Sequence, residues 1–202
     1  MKLSLRTLGL LMTVLCLANP LSNLQAESVV GGNDAAMGNA LEAAMTPGAG
    51  QEKLNPLVGT FDVMIRTWMS PGSEPVESTA SMVSTWVLGG RYVQSMLVGN
   101  VAGEPFNGIG YVGFDNVSKN YQAAWMDTGS TGMILYTGGF DESGQSATMK
   151  ASIQNALTAR PDVLELRLTI DPEGNHVTEL WGPGLGTEMF RMMELVYSKT
   201  TQ

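Results

Sequence analysis

The sequence predicts an all-β domain of antiparallel strands, and three observations carry that expectation. From Val58 to Ser198, short runs of alternating apolar and polar residues recur about ten times, each closed by a Gly, Pro, Asn or Asp turn. The runs start roughly 8 to 15 residues apart with no helical pattern between them, which leaves no room for parallel crossovers and favours hairpin-linked strands in a sandwich or barrel. A sheet of so many strands curls, and closing it removes the edges on which other chains could pair. The expected architecture is an antiparallel up-and-down β-barrel of about ten strands with a short N-terminal helix.

The beginning of the chain is different in kind. Lys2 and Arg6 form a basic start, Leu8 to Leu17 is a short apolar run, and Leu24-Gln25-Ala26 ends on a small residue. Residues 1–26 therefore read as a secretory signal peptide, and the protein is expected to be exported to a periplasm or secreted. The apolar run is short for a bilayer span, so no transmembrane segment is expected in the mature chain. Leu15 stands before Cys16 where a lipid-anchored protein needs a small residue, so no lipid anchor is expected.

Composition then removes several classes of function. Cleavage after Ala26 would take away Lys2 and Arg6 and no acidic residue, so the net charge of −8 would become about −10. Such a chain has no basic stripe to neutralise phosphates, and nucleic acid is excluded as a partner. Cys16 is the only cysteine and His176 the only histidine. A mature chain without thiols has no disulfide, no thiolate nucleophile and no Cys-ligated metal, and one histidine cannot supply the usual zinc sites. A Ser-His-Asp triad would rest on His176 alone, with no Gly-x-Ser-x-Gly elbow to support it. No metal and no cofactor are expected.

Along the chain, residues 27–50, with Gly31-Gly32, Pro47-Gly48 and many alanines, read as a flexible lead holding at most a short helix around Asp34 to Met45. Gln51 to Leu57 reads as one or two helical turns across one end of the sheet, stopped by Pro56 and Gly59. The first strand is expected over Thr60 to Met69, with Phe61, Val63 and Ile65 on one face and Asp62, Met64, Arg66 and Trp68 on the other. Ser70-Pro71-Gly72 leads into Val76 to Leu88, where Ala80, Met82 and Trp86 share a face with Ser78 and Ser84, and Gly89-Gly90 reverses the chain into Arg91 to Val98. Phe106 to Phe114 carries Gly108, Gly110 and Gly113, which permit coiling and close approach. Further strands are expected over Tyr121 to Asp127, Met133 to Phe140, Thr148 to Ile153, Val163 to Ile170, Val177 to Trp181 and Glu188 to Tyr197, with Gln154 to Pro161 as an irregular loop. The single domain spans 51–199.

Several blocks in this order resemble a bacterial family known as domain of unknown function 1579: Leu57-Val58-Gly59-Thr60-Phe61-Asp62-Val63, Trp68-Met69-Ser70-Pro71-Gly72, Trp86-Val87-Leu88-Gly89-Gly90-Arg91-Tyr92, Gly108 to Asn116, Trp125-Met126-Asp127, Ser130-Thr131-Gly132 and Met193-Glu194-Leu195-Val196-Tyr197. The resemblance covers about residues 51 to 199 and implies a lipocalin-like (calycin-like) β-barrel, commonly exported, with no established reaction or ligand. The sequence departs from the family in two places. Gln51-Glu52 stands where members often carry a histidine, and Phe61 where they often carry a tryptophan. By analogy with lipocalins, Phe61 would plug the barrel floor and Arg191 would cover it.

The candidate site residues are each open to a plainer role. Trp68, Trp86, Trp125 and Trp181 can line an aromatic pocket or fill a core. Met64, Met82, Met126, Met133 and Met192 suit an adaptable ligand surface or a packed interior. Arg66 and Arg167, if inside, could hold a ligand carboxylate, and if outside they would be solvated or ion-paired. Asp127 shares a face with Trp125 and could act as an acid or base, or cap the turn that follows. His176 could ligate haem but stands at a strand start, where side chains are usually exposed. Asn116-Val117-Ser118 fits a glycosylation sequon, although Asp115-Asn116 is explained as turn chemistry.

Three readings stay open. The first is a carrier or sensor binding a small apolar or amphipathic ligand, a lipid or organic acid, in the barrel. The second is an enzyme of unknown reaction built from Asp127, Glu165 or Glu194 with Arg66. The third is a structural or interaction domain with a filled core, and large apolar residues on both faces of many strands make a homodimer a further expectation.

Overall fold

The computed structural model describes residues 30–101, 103–155, 158–184 and 188–200, so the expected signal peptide lies outside them. The chain divides into two compact units, 1–38 and 39–202, and the whole sheet belongs to the second. Ten antiparallel strands follow one another: β1 (Gly59–Thr67), β2 (Val76–Val87), β3 (Tyr92–Val101), β4 (Glu104–Asp115), β5 (Asn120–Asp127), β6 (Ile134–Phe140), β7 (Ser146–Gln154), β8 (Pro161–Ile170), β9 (His176–Gly182) and β10 (Phe190–Lys199). Each pairs with its neighbours in sequence, and β1 pairs with β10, so the sheet closes on itself as an up-and-down barrel. The closing register runs from Phe61 opposite Lys199 to Thr67 opposite Met193.

The leading helix α1 (Val30–Met45) is longer than the short helix expected from Asp34. Gln51 to Leu57 is resolved into α2 (Ala49–Glu52) and a single 3₁₀ turn, Asn55–Leu57. α2 and this 3₁₀ turn seal the end of the barrel at which β1 begins. Leu54 is 1% exposed within a cluster containing Val93, Tyr121 and Tyr136. Gln51 is also buried; its Nε2 donates to the Phe114 carbonyl at 2.9 Å and its Oε1 accepts the Gly48 N–H at 2.8 Å. Tyr121 Oη donates to the Gly50 carbonyl at 2.7 Å, and Trp86 Nε1 to Asn55 Oδ1 at 3.1 Å. The buried Gln51 amide thus has both its oxygen and its nitrogen hydrogen-bonded in holding the seal.

The turns at the sealed end are fixed by local chemistry. Leu88, Gly89 and Gly90 all have positive φ, a conformation two glycines adopt without a Cβ clash, and this makes the tight β2–β3 reversal. Asp115 opens the β4–β5 turn by accepting from the Val117 N–H and the Ser118 hydroxyl, confirming turn chemistry for the sequon region. The opposite end of the barrel, here called the mouth, is formed by the β1–β2, β3–β4, β5–β6, β7–β8 and β9–β10 connections.

Cross-strand partners share a face of the sheet, so the register sorts every strand into inner and outer residues. Phe61 and Val63 lie opposite Met82 and Ala80, and Met82 opposite Leu97; all of these point inward. The outer wall carries its own apolar row, Val83, Met96, Ile109 and Met126, in register across β2 to β5. Val83 and Met96 are exposed. That row accounts for the two-faced apolar character of the strands.

The barrel floor departs from the sequence expectation in two respects. Phe61 is fully buried, but the cation near its ring is Lys199, with Nζ 5.9 Å from the centroid, whereas Arg191 lies on the outer wall. His176 is not exposed: only 6% of it is accessible, stacked on Tyr197 with centroids 4.1 Å apart and meeting Phe61 edge-on at 4.9 Å. The cause is the preceding turn, in which Asp171 holds the Asn175 backbone and side chain and returns the strand inward at its first residue. With its Nδ1 buried and unpartnered in an aromatic box, the imidazole is not presented as an axial ligand.

Burial holds the His176 pKa down at about 4, against the opposing pulls of the Gly174 backbone and Asp171. Below pH 6.5 the unfolded chain binds a proton that the folded chain refuses, so stability is complete above 6.5 and falls as the pH approaches 4. The loss over that window is expected to be about 3 kcal/mol. Urea denaturation at a series of pH values should show this slope in the native protein, and His176→Phe should flatten it.

Candidate functional site

The inner wall is not evenly filled. On β1 and β3, Phe61, Val63, Ile65, Val93 and Leu97 are at most 2% exposed. Leu166, Thr178, Leu180, Met193 and Leu195 also face inward by register but are only half-buried. An inward side chain in mid-strand of a closed barrel meets solvent only from within. The interior of the barrel, its lumen, is therefore less completely filled by side chains along β8 to β10 than along β1 and β3.

Trp125 faces the lumen from β5 and touches both main core clusters. Its position depends on β4, where Gly108 lies opposite Asp127 and Gly110 opposite Trp125 itself. A Cβ at Gly108 would overlap the six-membered ring of Trp125, and one at Gly110 would come within 3.0 Å of it. The indole lies against a strip of bare backbone that only glycine provides. Its Nε1 donates to Asp127 Oδ2 at 2.7 Å, and Asp127 Oδ1 accepts the Gly129 N–H at 2.9 Å. Asp127 thus caps the turn and also orients Trp125 at the mouth.

Deeper than the mouth, the polar groups of the mid-barrel lining are neutral. Ser84 and Ser95 face each other at 2.8 Å. Burial and the nearby Asp127 charge push the Tyr136 hydroxyl up to about 12, so it stays protonated. Burial also raises Tyr197, with a hydrogen bond to Thr178 opposing.

The other candidates lie outside. Arg66 Nη1 reaches Glu194 at 2.8 Å and its Nε reaches Glu77 at 3.0 Å, which raises the guanidinium pKa, Glu194 more than Glu77. Arg191 bridges Glu179 and Glu194, both at 2.8 Å, with its guanidinium 4.3 Å from the centre of Trp68. Arg167 reaches Glu165 at 2.7 Å and stacks at 4.3 Å over Trp181, whose Nε1 donates to Glu179. Arg167 holds the Glu165 carboxyl below its ordinary range; at Glu179, burial would raise the pKa but is outweighed by the hydrogen bonds from Arg191 and Trp181. These groups form a belt of ion pairs and cation–π contacts across β7 to β2 on the outer wall.

Arg66 and Arg167 therefore do not enter the barrel to meet a carboxylate, because their same-face neighbours are the glutamates of adjacent strands. The enzyme grouping is divided as well: Arg66, Glu165 and Glu194 are outside, and Asp127 is inside. The four tryptophans form no common pocket. Trp86 sits at the seal and Trp125 in the lumen, while Trp68 and Trp181 lie on the outer wall. Of the methionines, Met82 faces inward and Met192 packs on the core, whereas Met64 and Met126 share the outer register. Leu166, Leu180, Met193, Leu195, Thr178 and Tyr136 were missed as lining residues. For β8 a signal existed: Val163, Glu165 and Arg167 mark one face, which leaves Leu164, Leu166 and Leu168 for the other.

Among the described residues no group of three His, Cys, Asp or Glu side chains is placed to hold a metal ion. Among them, no helix is long and apolar enough to cross a membrane.

A family model described as protein of unknown function (DUF1579) matches residues 46–199. The chain belongs to this family. The DUF1579 region contains the seal, all ten strands and the lumen, and begins at the end of α1. Among solved structures, the chain is similar to the crystal structure of Rv2717c from M. tuberculosis. The TM-score is 0.58 at 16% identity, over 77% of this chain and 100% of that one, which supports the fold. No curated protein matches the chain.

Two substitutions test the geometry of this DUF1579 barrel. Gly108→Ala should force the indole off its strip, costing about 1–3 kcal/mol and shifting the tryptophan emission. Glu194→Gln should cost about 1 kcal/mol in thermal or urea unfolding, since Arg66 and Arg191 each keep one other glutamate, and it should leave that emission unchanged.

Proposed function

We propose that this protein is an exported carrier or sensor that holds one small apolar or amphipathic molecule in its lumen. The observation that carries this reading is the half-buried state of inward, mid-strand Leu166, Leu180 and Leu195 inside a closed barrel. A domain with a filled core would bury them as completely as it buries Phe61 and Ile65. Leucine and methionine lining, a rigid indole and a few neutral hydroxyls suit a ligand that is mostly hydrocarbon. Support for export comes from residues 1–26, with their basic start, short apolar run and small-residue end.

The test is native mass spectrometry of protein expressed with its leader, followed by organic extraction and mass analysis of what is released. A stoichiometric apolar molecule is the expected outcome, together with removal of residues 1–26. Empty protein that fails to enhance the fluorescence of an apolar probe would retire the reading. Leu166→Trp, which fills the lumen, should weaken probe binding by at least about tenfold. Val163→Trp, three residues earlier on the outer wall of the same strand, should leave it unchanged.

A further inference from the structure

We infer that the lumen selects a ligand whose apolar body carries a cationic head group, and that Asp127 receives that head beside the indole of Trp125. This rests on the lumen-binding reading and adds the charge of the ligand to it.

The argument begins with where the positive side chains are. Among the described residues, Arg66, Lys150, Arg167 and Arg191 are all on the outer wall, each ion-paired with a glutamate. Lys199 is at the sealed end, beside Phe61. No described arginine or lysine stands on the inner register of the barrel between the Phe61 level and the mouth. A carboxylate drawn into such a lumen would leave water and meet no counter-charge, which is strongly unfavourable.

The acidic side chains are distributed in the opposite way. Asp127 and Asp162 are inward by register at the mouth, opposite Gly108 and Ile153, and both are half-buried. Glu74, Glu104 and Glu188 lie on the surrounding connections and strand ends, where Arg160 is the basic residue. Asp127 is the one built to act. Its two oxygens accept from Trp125 Nε1 and the Gly129 N–H, which fixes the carboxylate and leaves each oxygen able to accept again. A cation paired with the free side of this carboxylate would also lie beside the indole of Trp125, and a carboxylate next to an aromatic ring favours ammonium groups over neutral ones. The neutral hydroxyls of Ser84, Ser95, Tyr136 and Thr178 deeper inside impose no competing charge.

The experiment uses three probes with the same twelve-carbon tail, dodecyltrimethylammonium, dodecanol and dodecanoate, titrated calorimetrically below their micelle-forming concentrations into the mature protein freed of bound ligand. The ammonium should bind at least about tenfold tighter than the carboxylate, with the alcohol between them. Asp127→Asn, which keeps an acceptor for the Trp125 and Gly129 N–H groups, should bring ammonium and carboxylate to similar affinity. Glu77→Gln on the outer wall should leave the ratio unchanged, which controls for the general negative charge of the protein. Carboxylate binding as tight as ammonium binding, with the alcohol also bound, would overturn the charge selection and leave the lumen intact. An unaltered ratio in Asp127→Asn would remove Asp127 from the role. Failure of all three probes would overturn the lumen-binding reading together with this one.

Discussion

Everything in this molecule depends on the hydrogen-bonded closure of β10 onto β1. Until that ladder forms, the sheet has two bare edges and no inside, and the parity of each strand has no consequence. Once it forms, alternation becomes absolute, since every odd position in β1 faces the interior and every even one faces water. The guanidinium of Arg66 is placed on the outer wall by this rule, although it directly follows Ile65 of the wholly apolar Phe61, Val63 and Ile65 face. The outer belt reinforces the same seam, since Arg66 ties β1 to both β2 and β10, and Arg191 ties β10 to β9. Its glutamates and arginines satisfy one another in pairs and act as stitching between strands.

The number of strands, their antiparallel order and the position of nearly every turn were legible in the chain, because turn chemistry and alternation are local properties. The inner and outer faces were not, and the reason lies in particular side chains. Val83, Met96, Ile109 and Met126 give the outer wall an apolar row, while Ser84, Ser95 and Thr178 put hydroxyls inside, so hydropathy alone does not separate the faces. Trp68 and Trp181 resemble pocket residues in sequence, but on the folded barrel each lies under an arginine. His176 was misjudged because its burial comes from the way Asp171 shapes the preceding turn, and from a stacking partner, Tyr197, far along the chain.

The candidate site shows how a weakness in one strand becomes geometry in another. Gly108 and Gly110 lower the strand propensity of β4, and read alone they only suggest bending. Their effect appears on β5, where the missing Cβ atoms let the Trp125 ring lie against the backbone of β4. Asp127 then fixes the ring through Nε1. The glycines, the indole and the carboxylate form one unit spread over two strands, of which only Trp125 and Asp127 could be selected from sequence.

The pairing of first strand with last also sets a condition on the timing of folding. The Thr200 N–H reaches the Thr60 carbonyl at 2.9 Å, so the two ends of the barrel sequence lie side by side and the domain is, topologically, a ring cut at one point. Interior strands find their partners through short hairpins, but β1 must wait for the segment furthest from it along the chain, at the largest loop-closure cost in the molecule. A nascent chain emerging from a ribosome therefore keeps an open, pairing-competent edge until residues 190–199 are free. The lumen, and any ligand held in it, comes into being only at that last step.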